Sequence, residues 1–418
     1  MGHGKKKKSG KKRRKSVDNS AATKYVQEWF CMTDSEEAMN EGLKCGEAPV
    51  IFELHSHSTC SDGFLSPSAV VDRAHRNGVK VLALTDHDTM AGVPAALEAA
   101  RKYGIRVIPG VEISTMVPSR TDSGKGEPAH ILAYYGSCGP AKFAEIEECL
   151  ASIREGRYHR AETMLEKLKA LKMPLKWEHV ARIAGDGVAP GRLHVARAMV
   201  EARYVDNVKQ AFSKFLYDDG PAYATGSEIL AEMAIQIIRR TGGVAALAHP
   251  WALKNPVSVI RTLKEAGLHG IEVYRGDGKV AGISELADAY ELLKIGGSDF
   301  HGKGGPDETD LGKVTIPDSA IHKFLKVAQP IWRDALKDIL LGFAESSEPK
   351  IDKIVYPYGF GKELNGDMSL RCKITGNKEE TVVLHLSSWL TKEEKLAVEE
   401  EAVRLKLSHT VISEQGKR

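Results

Sequence analysis

From Pro49 onward, short apolar runs alternate with stretches in which apolar residues recur every three or four positions. The runs Val50 to Leu54, Val79 to Leu84, Val107 to Ile113, Ile131 to Tyr135, Val244 to Ala248, Ile271 to Tyr274 and Leu292 to Gly296 read as strands. Helices are predicted between several of them, including Pro67 to Asn77 and Val93 to Tyr103, which stop at Gly78 and Gly104 as helix C-termini often do. Buried parallel strands joined by helices predict an α/β sheet or barrel. Seven such strands favour barrel-like closure. The stretch between Tyr135 and Val244 is instead helical, with Met164, Leu165, Leu168 and Leu171 at helical spacing and a further helix over Arg192 to Ala202. A connection that long must carry its own structure, so it reads as a cap inserted at about 140–240.

The same reading divides the chain into a basic tail (1–20), disordered by composition, and a helical segment (21–48) holding Tyr25, Trp29 and Phe30. The core domain covers 49–316. A final α+β segment (317–418) has a helix near Ile321 to Phe343, strands near Leu370 to Ile374 and Thr381 to Leu386, and a charged helix over Thr391 to Leu405.

Charge changes the picture in one place. The chain of 418 residues carries +3, yet nine of the residues from Lys5 to Lys15 are Lys or Arg, so the remainder stands at −6. A broad nucleic-acid face is therefore not expected, and the tail reads as a nuclear-localisation signal or a nucleic-acid tether, with a solvated extension as the plain alternative. Six scattered cysteines with no C-x-x-C pair exclude a disulfide framework or a cysteine zinc knuckle and suit a reducing compartment. With no long apolar run and no signal peptide, the expectation is a soluble intracellular protein, nuclear or cytoplasmic, without membrane contact.

Candidate chemistry clusters beside the strands. His55 and His57 alternate along the first, so they can converge on one ion, and Asp62 follows in the turn Ser61-Asp62-Gly63. The second strand runs into Thr85-Asp86-His87-Asp88-Thr89, where Asp88 or Thr89 could serve as a helix N-cap but His87 has no such use. Glu112 lies between Val111 and Ile113, where an unpartnered carboxylate would cost several kcal/mol. A bound cation is the economical partner. His130 opens a strand, His249 ends one before Pro250, and Asp299 and His301 alternate at the end of another. Taken singly, His130 and His249 are more often core histidines. Together the set exceeds what one ion needs, which implies two or three divalent ions, and mixed imidazole and carboxylate ligation suits manganese, zinc or iron.

The ordered motifs H-x-H, S-D-G, T-D-H-D-T, P-G-x-E-I, H-I-L, A-H-P and S-D-x-H, spread over Val50 to Leu311, resemble the polymerase and histidinol phosphatase (PHP) superfamily. The resemblance implies a distorted seven-stranded β/α barrel with a trinuclear site. One metal would take His55, His57, Glu112 and Asp299; a second Glu112, His130 and His249; a third Asp62, His87 and His301. The cap, with Gly191 to Ala196, Phe212 to Leu216 and Gly220 to Tyr223, resembles that of the branch hydrolysing 3′,5′-nucleoside bisphosphates. Arg192, His194 and Lys214 then become candidate contacts for substrate phosphate, with ordinary surface charge as the alternative for Arg192 and Lys214. The implied activity is phosphomonoester hydrolysis of a small nucleotide by metal-bound hydroxide, with Asp299 or His301 orienting the water. The alternatives are 5′-to-3′ exonuclease action on short oligonucleotides, a histidinol-phosphate phosphatase, and a non-catalytic scaffold binding RNA or protein. The C-terminal segment faintly resembles an R3H module, but Lys395 and Glu399 stand where that module has its arginine and histidine.

Overall fold

In the computed structural model, the described residues are 7–31, 49–118, 126–226, 228–278, 281–304, 308–345, 354–355, 368–375, 379–386, 390, 392–405 and 408–411. The core begins with β1 (Ile51–Glu53), α2 (Pro67–Arg76), β2 (Val79–Leu84), α3 (Val93–Arg101) and β3 (Arg106–Val117). The α2 helix starts where expected, because the Ser66 hydroxyl caps Ala69 N and Pro67 opens the first turn. Then come β4 (Glu127–Tyr134) and the cap helices α4 (Phe143–Ala170), α5 (Trp177–Ala184), α6 (Arg192–Glu201) and α7 (Val208–Ala211). The chain returns through β5 (Ile229–Leu230), α8 (Ala231–Arg240), β6 (Val244–Leu247), α9 (Pro256–Glu265), β7 (Gly270–Tyr274), α10 (Ile283–Ala289) and β8 (Leu293–Gly296).

The sheet runs β1-β2-β3-β4-β6-β7-β8, with β5 beside β3. Each of the expected strands is present, and β5 is an addition. The expectation of parallel pairing fails at β4, which is antiparallel to both β3 and β6. Its connection from β3 spans only Val117 to Glu127. That is shorter than the dozen or so residues a parallel crossover needs. The two ends of the path meet in a parallel bridge between Ser56 and Phe300.

Alternate residues along each strand enter different cores, as a period of two requires. Val111, Ile113, Ile131 and Ala133 pack with Ala234, Ile235 and Ile238 of α8. Leu132 and Tyr134 instead join Phe52, Leu54, Val81 and Ala246. That second core is sealed by α1 (Lys7–Cys31), through Val26 and Trp29, and by α11 (Asp318–Glu345), through Phe324, Leu325 and Trp332. The Trp332 indole donates to Tyr134 O at 3.1 Å, and the Tyr134 hydroxyl to Leu54 O at 2.9 Å. The α1 helix extends back to Lys7, into the segment whose composition predicts disorder. Lys and Arg are good helix formers, and the anchored half supplies the nucleus.

The cap has its own core, in which Met164, Leu165 and Leu168 of α4 meet Val195 and Met199 of α6. The first half of α4 points Ile146, Leu150 and Ile153 into the sheet core instead. One helix thus joins cap to sheet. The C-terminal segment contains β9 (Ile354–Val355), β10 (Met368–Thr375), β11 (Glu379–Leu386), α12 (Lys392–Arg404) and β12 (Ser408–Val411), paired in the order β12-β10-β11-β9. On α12, Val398 and Ala402 pack against Leu336 and Leu340 of α11. Cys60 and Cys149 are thiols, whereas Cys31 is disulfide-bonded, an exception to the all-thiol expectation. Among the described residues, no helix is long and apolar enough to cross a membrane.

Candidate metal centre

Strand ends deliver the candidate ligands to one end of the sheet. His55 and His57 follow β1, His87 follows β2, Glu112 sits within β3, His130 within β4, His249 follows β6, and Asp299 and His301 follow β8. Glu112 is the hub. Its Oε2 lies 3.1 Å from His55 Nε2, 3.2 Å from His57 Nε2 and 3.3 Å from His87 Nδ1. Its Oε1 lies 2.9 Å from both His130 Nδ1 and His249 Nε2. Asp299 Oδ1 approaches His57 Nε2 at 3.2 Å, and Asp62 Oδ1 approaches His301 Nε2 at 3.3 Å. The turn carrying Asp62 needs Gly63, because a Cβ there would stand 2.7 Å from His57 O. His249 and Asp299 hold positive φ angles of 29° and 53°. Such backbone is uncommon outside glycine and clusters at functional sites.

Three groups of potential ligand atoms lie within 4.8 Å of one another: His57, Asp62, His87 and His301; His55, His57, Glu112 and Asp299; and His87, Glu112 and His130. These groups differ from the sets expected from the sequence: His57 and His87 are each shared between two groups, and His249 belongs to none of them. His249 joins through Glu112.

These residues fit metal ions on two independent grounds. His55 Nε2 and His57 Nε2 lie 3.1 Å apart, and each also lies within 3.4 Å of both Glu112 Oε2 and Asp299 Oδ1, so four nitrogen and oxygen atoms with lone pairs converge on one point where a cation can be shared. In addition, His57 Nδ1, Asp62 Oδ1 and His87 Nδ1 are buried with no hydrogen-bond partner. Unsatisfied buried polar atoms are rare, and an ion is one of their ordinary explanations. Burial alone would depress the His57 imidazole, but Asp299 and Glu112 outweigh it and lift it to about 10. Burial likewise works against ionisation of Asp62, yet His301 and His87 hold its carboxyl well below the usual range.

Several buried groups that sequence reasoning passed over support this centre. Glu272 Oε1 lies 3.0 Å from His55 Nδ1, and Oε2 accepts His249 N at 2.8 Å. Glu53 accepts Ser298 N at 2.8 Å, Gly312 N at 2.9 Å and His55 N at 3.3 Å. Asp88, open in the sequence as an N-cap, does not cap α3, whose N-cap is Gly92. With φ of 54°, it turns its carboxylate to Ser114 N (2.7 Å), Ser114 Oγ (2.8 Å) and Arg157 Nε (2.5 Å).

A cleft of about 900 Å³ opens between the centre and the cap, lined by Ser61, His87, Arg154, Arg157 and His194 among others. His194, expected as a phosphate contact, does face it. Burial pushes its imidazole down to about 4, and Nδ1 accepts Gly191 N at 2.9 Å, so it is a neutral group there at neutral pH. Arg192 is not among the lining residues; it pairs with Asp218 at 2.5 Å. Lys214 is exposed on the cap and does not line the cleft either. The cationic groups that do are Arg154 and Arg157 of α4, which the spacing R-x-x-R within the cap sequence could have suggested.

A profile of the PHP domain matches residues 53–254. The 3′,5′-nucleoside bisphosphate phosphatase of Chromobacterium violaceum is 33% identical over 69% of this chain and 97% of its own length. The chain belongs to the PHP family. The 5′-3′ exoribonuclease Rnm of Salmonella typhimurium is also similar to this PHP chain, 33% identical over 63% of it and 89% of the relative. A solved Bifidobacterium adolescentis structure, assigned as a metal-dependent phosphoesterase, matches with TM-score 0.57 and 27% identity over 67% of this chain and 97% of that one.

Proposed function

We propose that this PHP hydrolase removes a phosphate from a nucleotide monoester, with the 3′ phosphate of 3′,5′-nucleoside bisphosphates as its preferred target. The observation that carries the reading is the convergence of imidazoles and carboxylates on Glu112, with orphaned polar atoms beside it. The bisphosphate phosphatase relative, covered along 97% of its length, supports the choice of substrate.

In this reading, two or three divalent ions (manganese, zinc or iron) are held by His55, His57, Glu112 and Asp299, by Glu112, His130 and His249, and by Asp62, His87 and His301. Bound there, such ions neutralise phosphoryl charge and supply an acidified water near neutral pH. The protein does the rest. Asp299, with 43% of its side chain exposed, is the carboxylate that meets an incoming water and orients it. His301, whose Nδ1 lies 2.8 Å from Asp299 O, is held in register beside it. Arg154 and Arg157 line the cleft, each paired at 2.5 Å with a carboxylate (Glu147 and Asp88), and in this reading the second phosphate of a bisphosphate lies against their remaining N–H groups. Arg192 and Lys214 remain outer-cap contacts in this proposal, reached by a longer substrate. The sheet, its ends bridged at Ser56 and Phe300, is read as the distorted barrel of the family, with the cap at about 140–240 and with terminal segments at 1–48 and 317–418 whose helices α1 and α11 pack onto it.

The test is direct. Purified chain with manganese is incubated with 3′-phosphoadenosine 5′-phosphate, with a mononucleotide and with a short 5′-phosphorylated RNA. Release of the 3′ phosphate from the first alone is expected. Stepwise mononucleotide release from the RNA would favour the second reading, exonuclease action, which the similarity to the Salmonella exoribonuclease supports. Intact esters throughout would reject both.

A further inference from the structure

The two aspartates of Thr85-Asp86-His87-Asp88-Thr89 flank a candidate ligand, and neither is one. Asp86 is 1% exposed and lies outside every group of potential ligand atoms. Its Oδ1 accepts Ser58 N and Ser61 Oγ, each at 2.7 Å, and its Oδ2 accepts Ser58 Oγ at 2.7 Å. Both partners belong to the loop that follows His57 and ends at Asp62. Gly92 makes this approach possible, since a Cβ there would stand 2.8 Å from Asp86 Oδ2. The loop has few other anchors: Thr59 N donates to Leu65 O at 2.8 Å, and Ser61 N and Gly63 N close back onto Ser58 O at 3.1 and 2.9 Å. At its flanks His57 N donates to Phe300 O at 2.8 Å and Phe64 N to His301 O at 2.7 Å, which tie the ends to the β8 side; the tie to the β2 side runs through the Asp86 carboxylate.

We propose that Asp86 is a positioning residue for the ion held by Asp62, acting through the Ser58–Ser61 loop and not by ligation. Asp86 belongs to β2's end, as His87 does, so the clamp fixes the Asp62 carboxylate relative to His87 from the same turn. Short hydrogen bonds to an ionised acceptor are the strong ones, and groups that orient ligands commonly contribute 10–100-fold to metal affinity. The inference rests on the reading of Asp62 as a ligand.

The experiment uses the full chain, stripped with chelator and titrated with manganese alone, with calorimetry giving affinities and elemental analysis giving stoichiometry. Asp62→Ala should lose one ion. Asp86→Ala should keep that ion but bind it about 10–100-fold more weakly, with the other affinities unchanged. Asp86→Asn, whose amide retains one acceptor and whose NH2 can donate to Ser58 Oγ, should recover most of the affinity. Gly92→Ala, which crowds the carboxylate without removing it, should reproduce the selective weakening and serves in place of Asp86→Ala should that variant not fold. If Asp62→Ala keeps every ion, the ligand reading itself is wrong. If Asp62→Ala loses one ion while Asp86→Ala and Gly92→Ala match the wild type, or weaken all ions equally, the positioning role is refuted.

Discussion

Replacing Glu272 by glutamine removes a charge and adds two hydrogens at a point where both carboxylate oxygens are committed. Oε1 lies 3.0 Å from His55 Nδ1, and Oε2 accepts the backbone N–H of His249 at 2.8 Å. An anion accepts at both positions, which keeps the His55 proton on Nδ1 and frees Nε2 toward Glu112 and Asp299, 3.1 and 3.4 Å away. The amide can satisfy only one of the two. With its NH2 toward His55, it forces the proton onto Nε2 and removes that nitrogen as a ligand. With its NH2 toward His249 N, two donors oppose in a site where Glu272 is 2% exposed, at a cost of about 1–3 kcal/mol. Either arrangement predicts a 10–100-fold loss of affinity at the His55 ion, about 1.4–2.8 kcal/mol. The assay is manganese titration of Glu272→Gln against the wild type, with thermal denaturation of the metal-free forms as control. Equal manganese affinity in the two proteins would refute the tautomer argument.

Three further perturbations test separate parts of the structure. Trp29→Ala removes a side chain that is 3% exposed, stacked on Phe52 at 6.0 Å and covered by the Arg106 guanidinium at 4.1 Å; denaturant unfolding should show a loss of about 3–5 kcal/mol, and a loss below about 1 kcal/mol would detach α1 from the core. His269 is held at about 4 by burial, helped by Arg239 and Lys264, and its Nδ1 accepts Ala245 N at 3.0 Å. A histidine depressed in the fold costs stability as pH falls from about 6.5 to about 4, because the unfolded chain takes the proton first. His269→Asn keeps an acceptor without titrating, so it should flatten that decline by up to about 3 kcal/mol, and an unchanged pH profile of unfolding would count against it. Arg157→Lys keeps the charge but loses the fork spanning Asp88 Oδ2 and Ser114 Oγ, at 2.5 and 2.6 Å; KM should rise about tenfold for a nucleoside bisphosphate and little for a single-phosphate ester, whereas equal rises would remove Arg157 from the second-phosphate subsite.

Much of this was legible because the chemistry sits at strand ends, where an apolar run breaks into a polar motif. His87 after Val79–Leu84 and His249 before Pro250 are visible for that reason. The direction of β4 was not, since His130-Ile131-Leu132-Ala133 reads identically in either orientation and only the length of the preceding connection decides it. Phosphate contacts were the least legible. Arg192 and Lys214 stood out beside glycines and aromatics, while Arg157 lies in a charged helix whose exposed face hides it. Its burial to 8% exposure follows from α4 crossing from sheet to cap, which no local pattern encodes.

Glu112 is not the only carboxylate set between apolar neighbours in a strand. A carboxylate between Val111 and Ile113 demanded a partner, and the same holds for Glu272 between Ile271 and Val273 and for Glu53 between Phe52 and Leu54. The exposures are 0%, 2% and 0%, so burial alone does not separate a hub from a support. What separates them is the class of donor each meets. Glu53 meets backbone N–H groups at His55, Ser298 and Gly312, which fix loops and offset only part of its burial, so its carboxyl stays above the usual range. Glu272 meets one N–H and one imidazole. Glu112 has imidazole nitrogens around both carboxylate oxygens, and those nitrogens crowd one another as well. A buried acid whose neighbours are themselves candidate ligands can share a cation with them, whereas one whose neighbours are amides has only their dipoles and an easier protonation to offset its burial. The centre is therefore specified by the partners of its glutamates more than by their positions in the strands.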